Sequence, residues 1–528
     1  MSDLLAARPL TRVLTFGSDV DPSELHASLA AEGRFDVIVV DSSSDGPALS
    51  RFSDVFFHLK SGGALFLRFP PRPRKLDLEQ TAEQRWGALA DFVEHLGGHP
   101  AGSDPTGRRG RPGPRGRALE DRRQLAQAVG RLVVGQQHLM VVNRRPALAK
   151  MREHEMDQVL ALRSGAAGRV LTRLPEGQLK TRCVWRESSE NPVGLMPATF
   201  ATPPLVVREY AAVTCAPQQV AVQGTLLLPD TYRKNVGRRL LNSRTEETAE
   251  RFARRIDRRR PRSLPGTYFY LDSEFPAHFG HAMTEQLSRL WAWPSAKQTY
   301  PDLKVLISRR GAGLSLASFE RDLFGAAGIA EEDIVLVDAP VLVERLIAAT
   351  PMFATPYYAH PGIEQVWADV GDVLVASAPD KDYPARVFCS RRTKRRRPCH
   401  NAPDVEALFA SHGFTILHPE DLPFVEQARV FRDAEVVAGF AGSGLFSLVF
   451  SKTPKRVIVV SSESYTARNE YLMCSVLGHR LDVTWSQPDV DHPDAGWGRE
   501  AFRSGFTFDF EREGLFLREV LQSLDSQP

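Results

Sequence analysis

The chain has 528 residues, more than a single hydrophobic core serves, so two or three domains are expected. With 42% hydrophobic and 25% charged residues it has the composition of a globular protein, which excludes a disordered, collagen-like or membrane-embedded chain. A net charge of +3, from 67 Lys and Arg against 64 Asp and Glu, is too small for bulk attraction to nucleic acid or an anionic bilayer, and no nucleic-acid partner is expected. No stretch approaches about 18 uninterrupted apolar residues, and Met1 to Pro9 lack the apolar core of a secretory signal. A soluble, cytoplasmic protein is expected. The cysteines (Cys183, Cys215, Cys389, Cys399 and Cys474) are odd in number and scattered, as reduced cytosolic thiols are. Cys399-His400 lies too far from Cys389 for zinc-ligand spacing, so no metal site is expected.

Residues 12–70 alternate strand and helix. Arg12 to Phe16 reads as a strand, Pro22 to Glu32 as a helix, and Phe35 to Asp41 (FDVIVVD) as an apolar strand of the buried, parallel kind. A helix over Ala48 to Leu59 leads to a turn at Lys60 to Gly63 and a strand over Ala64 to Arg68. The FDVIVVD strand followed by LKSGGALFLR resembles the second half of a class I methyltransferase. Phe16-Gly17-Ser18-Asp19-Val20, however, holds one glycine where a methyl-donor loop needs several for close backbone approach. A degenerate Rossmann-like module over 1–164 is therefore expected. Within it, Gly102 to Arg117 (GSDPTGRRGRPGPRGR) reads as a flexible loop, His138 to Val142 as a strand and Ala147 to Arg163 as a helix.

Residues 165–380 and 381–528 read as two further domains. Short strands such as Val220 to Leu228 come first, and Arg251, Arg254, Arg255, Arg258, Arg259 and Arg260 read as a basic helix with a solvated face. From Thr267 strands and helices alternate: strands at Tyr268 to Leu271, Lys304 to Ser308 and Ile334 to Val337, and helices at Phe279 to Trp293, Leu314 to Ala327 and Ile363 to Ser377. A third set has strands beginning at Arg386, Glu435 and Arg456. The predicted fold is α/β: two facing Rossmann-like domains preceded by an additional Rossmann-like module, with ligand in the cleft at the carboxyl ends of the strands.

In the Phe279 helix, Met283, Leu287, Leu290 and Trp291 fall on one face and His281, Glu285 and Ser288 on the opposite one. A histidine and a carboxylate one turn apart can serve as a general base and its orienting partner, and equally can be an ordinary pair on a polar outer face. Farther on, Arg391, Arg392, Lys394, Arg395, Arg396 and Arg397 crowd a strand-to-helix loop, where their repulsion calls for an anion or acidic neighbours. Asn401, before Ala402-Pro403-Asp404, reads as an N-cap. Gly439-Phe440-Ala441-Gly442-Ser443-Gly444-Leu445 follows a strand and opens a helix, and the glycines at 442 and 444 allow close approach of a pyrophosphate. Forked arginine donors and a glycine turn suit a phosphorylated, nucleotide-linked substrate.

Residues 267–480 resemble the family 61 glycosyltransferases, whose bacterial members are often labelled capsular polysaccharide biosynthesis proteins. The resemblance is carried, in order, by the helix FGHAMTEQLSRL with His281 and Glu285, by Ser390-Arg391, by Arg397 with Asn401, by Glu426-Gln427, and by Gly442-Ser443-Gly444-Leu445. It implies a GT-B-like pair of domains and inverting transfer of a sugar from a nucleotide sugar to an acceptor hydroxyl of a glycan or similar molecule. Under that resemblance His281 or Glu285 is the base, and Arg391, Arg397, Asn401, Gln427, Gly442, Ser443, Gly444 and Leu445 hold the donor. No Asp-x-Asp motif stands at a strand end to carry a metal-bridged diphosphate, so donor binding without metal or other cofactor is expected. Peripheral association with a membrane polysaccharide assembly fits such a role.

The chain departs from the family pattern at Ala441, where a histidine is usual, at Ala402 for a glutamate, at Ser447 for an asparagine, and in the strand RVIVV, which lacks the usual acidic residue. These changes fall on the donor's ribose and base contacts. Two other functions fit parts of the sequence: an S-adenosylmethionine-dependent methyltransferase built on residues 12–70, and a non-catalytic protein that binds polyanions or glycans through its arginine clusters.

Overall fold

In a computed structural model of the chain, the described residues are 14–17, 19–41, 52–68, 114–135, 138–188, 196–309, 314–392, 397–494 and 496–525. The chain is mixed α/β throughout. Near the N-terminus the helix Pro22–Glu32 forms as expected, with Pro22 in its first turn and the Asp21 carboxylate accepting from the Ser23 and Glu24 amides at 2.8 and 3.2 Å. Strand Phe35–Asp41 runs parallel to Leu59–Arg68, which pairs antiparallel with His138–Asn143, itself antiparallel to Val129–Val134.

Only one of these pairings is parallel, so the expected Rossmann-like module is instead a mixed four-stranded sheet. The apolar strand Phe35–Asp41 lies at its edge with Asp36, Val39 and Asp41 exposed, and is not buried on both faces. Lys60 to Gly63, read as a turn, belong to the strand Leu59–Arg68, and a register shift opposite Phe35 and Val37 absorbs them. Leu14 to Phe16 form no strand. Arg12 and Val13, residues 48–51 of the expected helix, and 102–113 of the expected loop lie outside the described residues; 114–117 instead open the helix Pro114–Ala128.

The segment read as one helix from Ala147 to Arg163 divides into a strand, Leu148–Lys150, and a helix, Glu153–Leu162. That strand leaves the N-terminal sheet and pairs with Leu226–Leu227 and Phe252–Arg255 in a second sheet of eleven strands. Val220–Gln223 and Leu226–Leu227 are two strands reversed at Gly224, which takes φ 59°. The expected basic helix is a hairpin, Thr245–Ala249 with Phe252–Arg255. Its arginines are not simply solvated. Arg254 is 7% exposed and donates to the carbonyls of Arg145 and Pro146 and to Gln124 Oε1, at 2.7, 3.3 and 3.0 Å, and burial pushes its pKa down to about 10. A guanidinium can be buried in a strand when carbonyl oxygens meet its donors.

The parallel part of this second sheet comprises Val341–Ala349, Arg262–Tyr270, Lys304–Ser308 and Ile334–Val337. From Leu205–Ala216 outward the pairings are antiparallel except that of Leu226–Leu227 with Leu148–Lys150, so the sheet is larger and more mixed than a Rossmann-like domain. The third sheet is parallel throughout, in the order Thr415–Leu417, Arg386–Cys389, Val436–Phe440, Arg456–Ser462, Arg480–Ser486, Val184–Glu187. Val184–Glu187 comes from far upstream and ties the two larger sheets together along the chain.

From Arg386–Cys389 the chain moves outward to Thr415–Leu417 and then returns past it to Val436–Phe440. The strand order therefore reverses between Arg386–Cys389 and Val436–Phe440, and a crevice opens there at the carboxyl ends of the strands. Helices Ala402–Ser411 and Gly514–Asp525 cover one face of this sheet. The other face merges with the second sheet in a continuous core that includes Phe269, Leu287, Val305, Phe424, Val437 and Phe450. Among the described residues no helix is long and apolar enough to cross a membrane.

Candidate active site

The segment from Phe279 to Thr299 is helical but changes pitch: an α turn at Phe279–His281, a π turn at Ala282–Gln286, a 3-10 stretch at Leu287–Ala292 and an α-helix at Trp293–Thr299. Met283, Leu287 and Leu290 are buried as the pattern requires. The opposite face is not a solvated surface, because Glu285 and Ser288 are also buried and Ser288 Oγ donates to the Glu285 carbonyl at 2.9 Å. Across the start of the widened turn His281 Nδ1 and Glu285 Oε1 stand 2.8 Å apart.

Arg233, from the loop after Pro229–Thr231, places Nη1 3.1 Å from the same Glu285 oxygen and Nε 3.3 Å from Glu274 Oε2. Its guanidinium also lies 5.3 Å from the centroid of the Phe275 ring, which stacks on His281 at 4.2 Å and 14°. Burial alone would raise the Glu285 pKa; His281 and Arg233 outweigh it and bring it down to about 2. Glu285 is thus a carboxylate at neutral pH and a poor proton acceptor. It holds Nδ1 of His281 as a donor, which leaves Nε2 as the basic atom.

The second half of the site lies at the crevice of the parallel sheet. Arg391, just past Arg386–Cys389, donates through Nη2 to the Ala441 carbonyl and through Nη1 to the Arg397 carbonyl at 3.2 Å. Burial, and then the charge of Arg397, bring the Arg391 pKa down to about 10. Arg397 has φ 58°, and its guanidinium lies 4.5 Å from the ring of Tyr465 and 5.1 Å from that of Phe502. Both guanidinium groups converge on Gly442: a β-carbon there would lie 2.6 Å from Arg391 Nη2 and 2.9 Å from Arg397 Nη2. Gly442 has φ 133° and ψ −164°, a conformation open in practice to glycine alone, and it precedes the 3-10 helix Ser443–Phe450.

Not every amide of this turn is available. The Gly442 amide donates to Glu470 Oε1 at 2.5 Å, and the Leu445 amide to the Gly442 carbonyl at 3.0 Å. Glu470 is buried, also accepts from the Tyr465 hydroxyl, and has its pKa raised by burial. Leu445 is itself fully buried and contributes to the core. The two halves of the site meet at Gly280, where a β-carbon would lie 3.0 Å from Ser443 Cβ. Phe279 packs edge-on against Phe424 at 5.5 Å beside this contact.

Two expected donor contacts turn elsewhere. Asn401 makes no side-chain capping bond; its Oδ1 accepts from the Phe508 amide at 2.9 Å and its Nδ2 donates to the Phe508 carbonyl at 3.0 Å, pinning the C-terminal segment. Gln427 is buried and donates to the Leu422 carbonyl at 3.1 Å, which secures the loop before its own helix. Of the basic loop, Arg392 pairs with Asp421, and Lys394, Arg395 and Arg396 lie outside the described residues. Cys399 Sγ is 3.4 Å from Asn401 Oδ1 and His400 pairs with Asp489 at 2.8 Å. Arg233, Phe275, Tyr465, Glu470 and Phe502 carry no periodic or motif signal, because each reaches the site from a different loop or helix start.

No curated protein matches the chain. Among solved structures, the iron-containing dodecameric glycosyltransferase TibC from enterotoxigenic E. coli H10407 is 12% identical, with 53% of this chain and 84% of that one covered and a TM-score of 0.26. The dodecameric iron-containing heptosyltransferase TibC in complex with ADP-D-beta-D-heptose is 11% identical, with 53% and 83% covered and a TM-score of 0.25. Residues 279–459 match the family model Glycosyltransferase 61, a span that begins at the His281 helix and ends in the strand after the Gly442 turn, and that contains His281, Glu285, Arg391, Arg397 and Gly442. Over this span, which is less than half of the chain, the sequence is similar to the family 61 glycosyltransferases.

Proposed function

We propose that the enzyme transfers a sugar from a nucleotide-sugar donor to an acceptor hydroxyl with inversion, in a GT-B-like arrangement with the donor on the parallel sheet and the acceptor toward the second sheet. The observation that carries this reading is the contact of Gly280 with Ser443, which sets a histidine–carboxylate dyad beside a crevice lined by two arginines. Inversion needs one in-line displacement at the anomeric carbon. In it, His281 Nε2 takes the acceptor hydroxyl proton as the acceptor oxygen bonds to that carbon. The bond from carbon to the donor phosphate oxygen breaks at the same time. The departing nucleoside diphosphate gathers negative charge beside Arg391 and Arg397 and the first amides of the 443–450 helix, those of Ser443 and Gly444.

Glu285 keeps His281 in the required tautomer and stabilises the imidazolium once the proton has arrived, with Arg233 as a second cation on the same carboxylate oxygen. The two arginines press on one another, and an anion between them relieves that repulsion. Thermal melts with UDP, GDP and ADP test the reading: a ligand that binds only the folded state raises the melting temperature. Stabilisation by at least one of them is expected, and its loss in Arg391→Ala. A melt that no nucleotide moves, together with no hydrolysis across a panel of nucleotide sugars, would reject the assignment.

A further inference from the structure

We propose that Trp497 is the platform on which the nucleobase of the donor stacks, an inference that rests on the nucleotide-sugar reading above. The arginine end of the crevice continues into an aromatic row. Arg397 lies against Tyr465 and Phe502, whose rings stack 5.8 Å apart at 27°, and Trp497 follows with its ring centroid 5.6 Å from that of Phe502. Tyr465 is buried and Phe502 half-buried, whereas Trp497 is 58% exposed, the one exposed tryptophan among the described residues.

The indole of Trp497 presents its open surface at the end of this row. It is held in place. The Gly498 amide donates to His492 Nδ1 at 3.0 Å, and His492 Nε2 donates to the Ser464 carbonyl at 3.0 Å, a single neutral tautomer serving both bonds. The Phe502 amide donates to the Gly498 carbonyl at 3.0 Å, and the Arg397 amide to the Arg503 carbonyl at 3.3 Å. The segment carrying Trp497 is thereby fastened to the loop after Arg456–Ser462 and to Arg397 itself, on the carboxyl-end side of the parallel sheet.

The order of features matches the order of groups in a nucleoside diphosphate. Two guanidinium groups stand where the charged diphosphate belongs, the Tyr465 and Phe502 edges come next, and a flat aromatic face stands at the far end. Stacking on an aromatic ring accepts any base, with larger purine faces favoured. The protein should therefore bind ADP, GDP and UDP through the same row.

Titration calorimetry with ADP, GDP, UDP and inorganic pyrophosphate against the wild type, Trp497→Ala and Trp497→Phe tests this. The exposed position makes either substitution compatible with folding. The expected result is a loss of about tenfold in affinity for the nucleoside diphosphates in Trp497→Ala, most of it restored in Trp497→Phe, with pyrophosphate binding unchanged in both. Nucleotide affinity in Trp497→Ala equal to the wild type would overturn the role of Trp497 while leaving the crevice intact. So would an equal weakening of pyrophosphate, which would make the indole a prop for the arginines. If neither pyrophosphate nor any nucleotide binds the wild type, the nucleotide-sugar reading falls and this inference with it.

Discussion

His281 Nδ1 lies 2.8 Å from Glu285 Oε1, the histidine closing an α turn and the glutamate standing in the π turn that follows it. The carboxylate is shared with Arg233, so Glu285 is held charged by His281 and by a guanidinium from outside the helix. Removing the proposed base should cost about 10²- to 10⁴-fold in turnover, the usual contribution of a positioned general base. His281→Ala is expected to lose turnover in that range with donor affinity intact. Activity near wild type in His281→Ala would assign the base elsewhere.

The lowered Glu285 pKa also links folding to pH. The folded value is about 2, below the ordinary 4.5 of an unfolded glutamate. Its stabilising contribution is therefore complete above pH 4.5 and is lost as pH falls from there toward 2, amounting to roughly 3 kcal/mol at neutral pH. Glu285→Gln should be less stable than wild type at pH 7, and the gap in denaturant midpoint should narrow below about pH 4.5. A gap that stays constant down to pH 2.5 would contradict this electrostatic origin.

Gly442→Ala combines two penalties. The backbone conformation is open to glycine alone, and the new methyl group would stand 2.6 Å from Arg391 Nη2. A loss of about 1–3 kcal/mol in stability is expected from the backbone, and the displaced guanidinium groups should abolish thermal stabilisation by nucleotide. Circular dichroism melts with and without ADP or UDP measure both at once; retention of the nucleotide shift would show that the arginines need no glycine between them.

The Gly280 contact with Ser443 is predicted to control the spacing between base and leaving-group site. Gly280→Val should leave nucleotide binding within a few fold and reduce turnover by about 10²-fold, the scale associated with misplacement of about an ångström. Separate nucleotide titrations and single-turnover transfer assays distinguish the two effects. Equal loss of both would mean that the substitution disrupts the fold.

Arg391 and Arg397 are proposed to supply the charge that a divalent ion supplies in other transferases. Turnover is expected to persist in EDTA. Abolition by EDTA with recovery on adding manganese would refute the arginine-based donor site.

Sequence alone determined the pieces whose signal is local. The spacing of His281 and Glu285, the Gly-Ser-Gly turn after a strand, and the strands Lys304–Ser308, Arg386–Cys389 and Arg456–Ser462 all follow from periodicity or turn chemistry within a few residues. The tertiary structure alone decided which polar groups are already satisfied. Asn401 is consumed by Phe508, 107 positions away, and the Gly442 amide by Glu470, 28 positions away, so two plausible donor contacts are spent inside the protein. Arg233 joins Glu285 from 52 positions upstream, and Leu148–Lys150 and Val184–Glu187 enter sheets remote from their sequence neighbours. A hydrogen bond or ladder partner is chosen by which chain segments packing brings within about 3 Å, and no pattern along the chain encodes that distance.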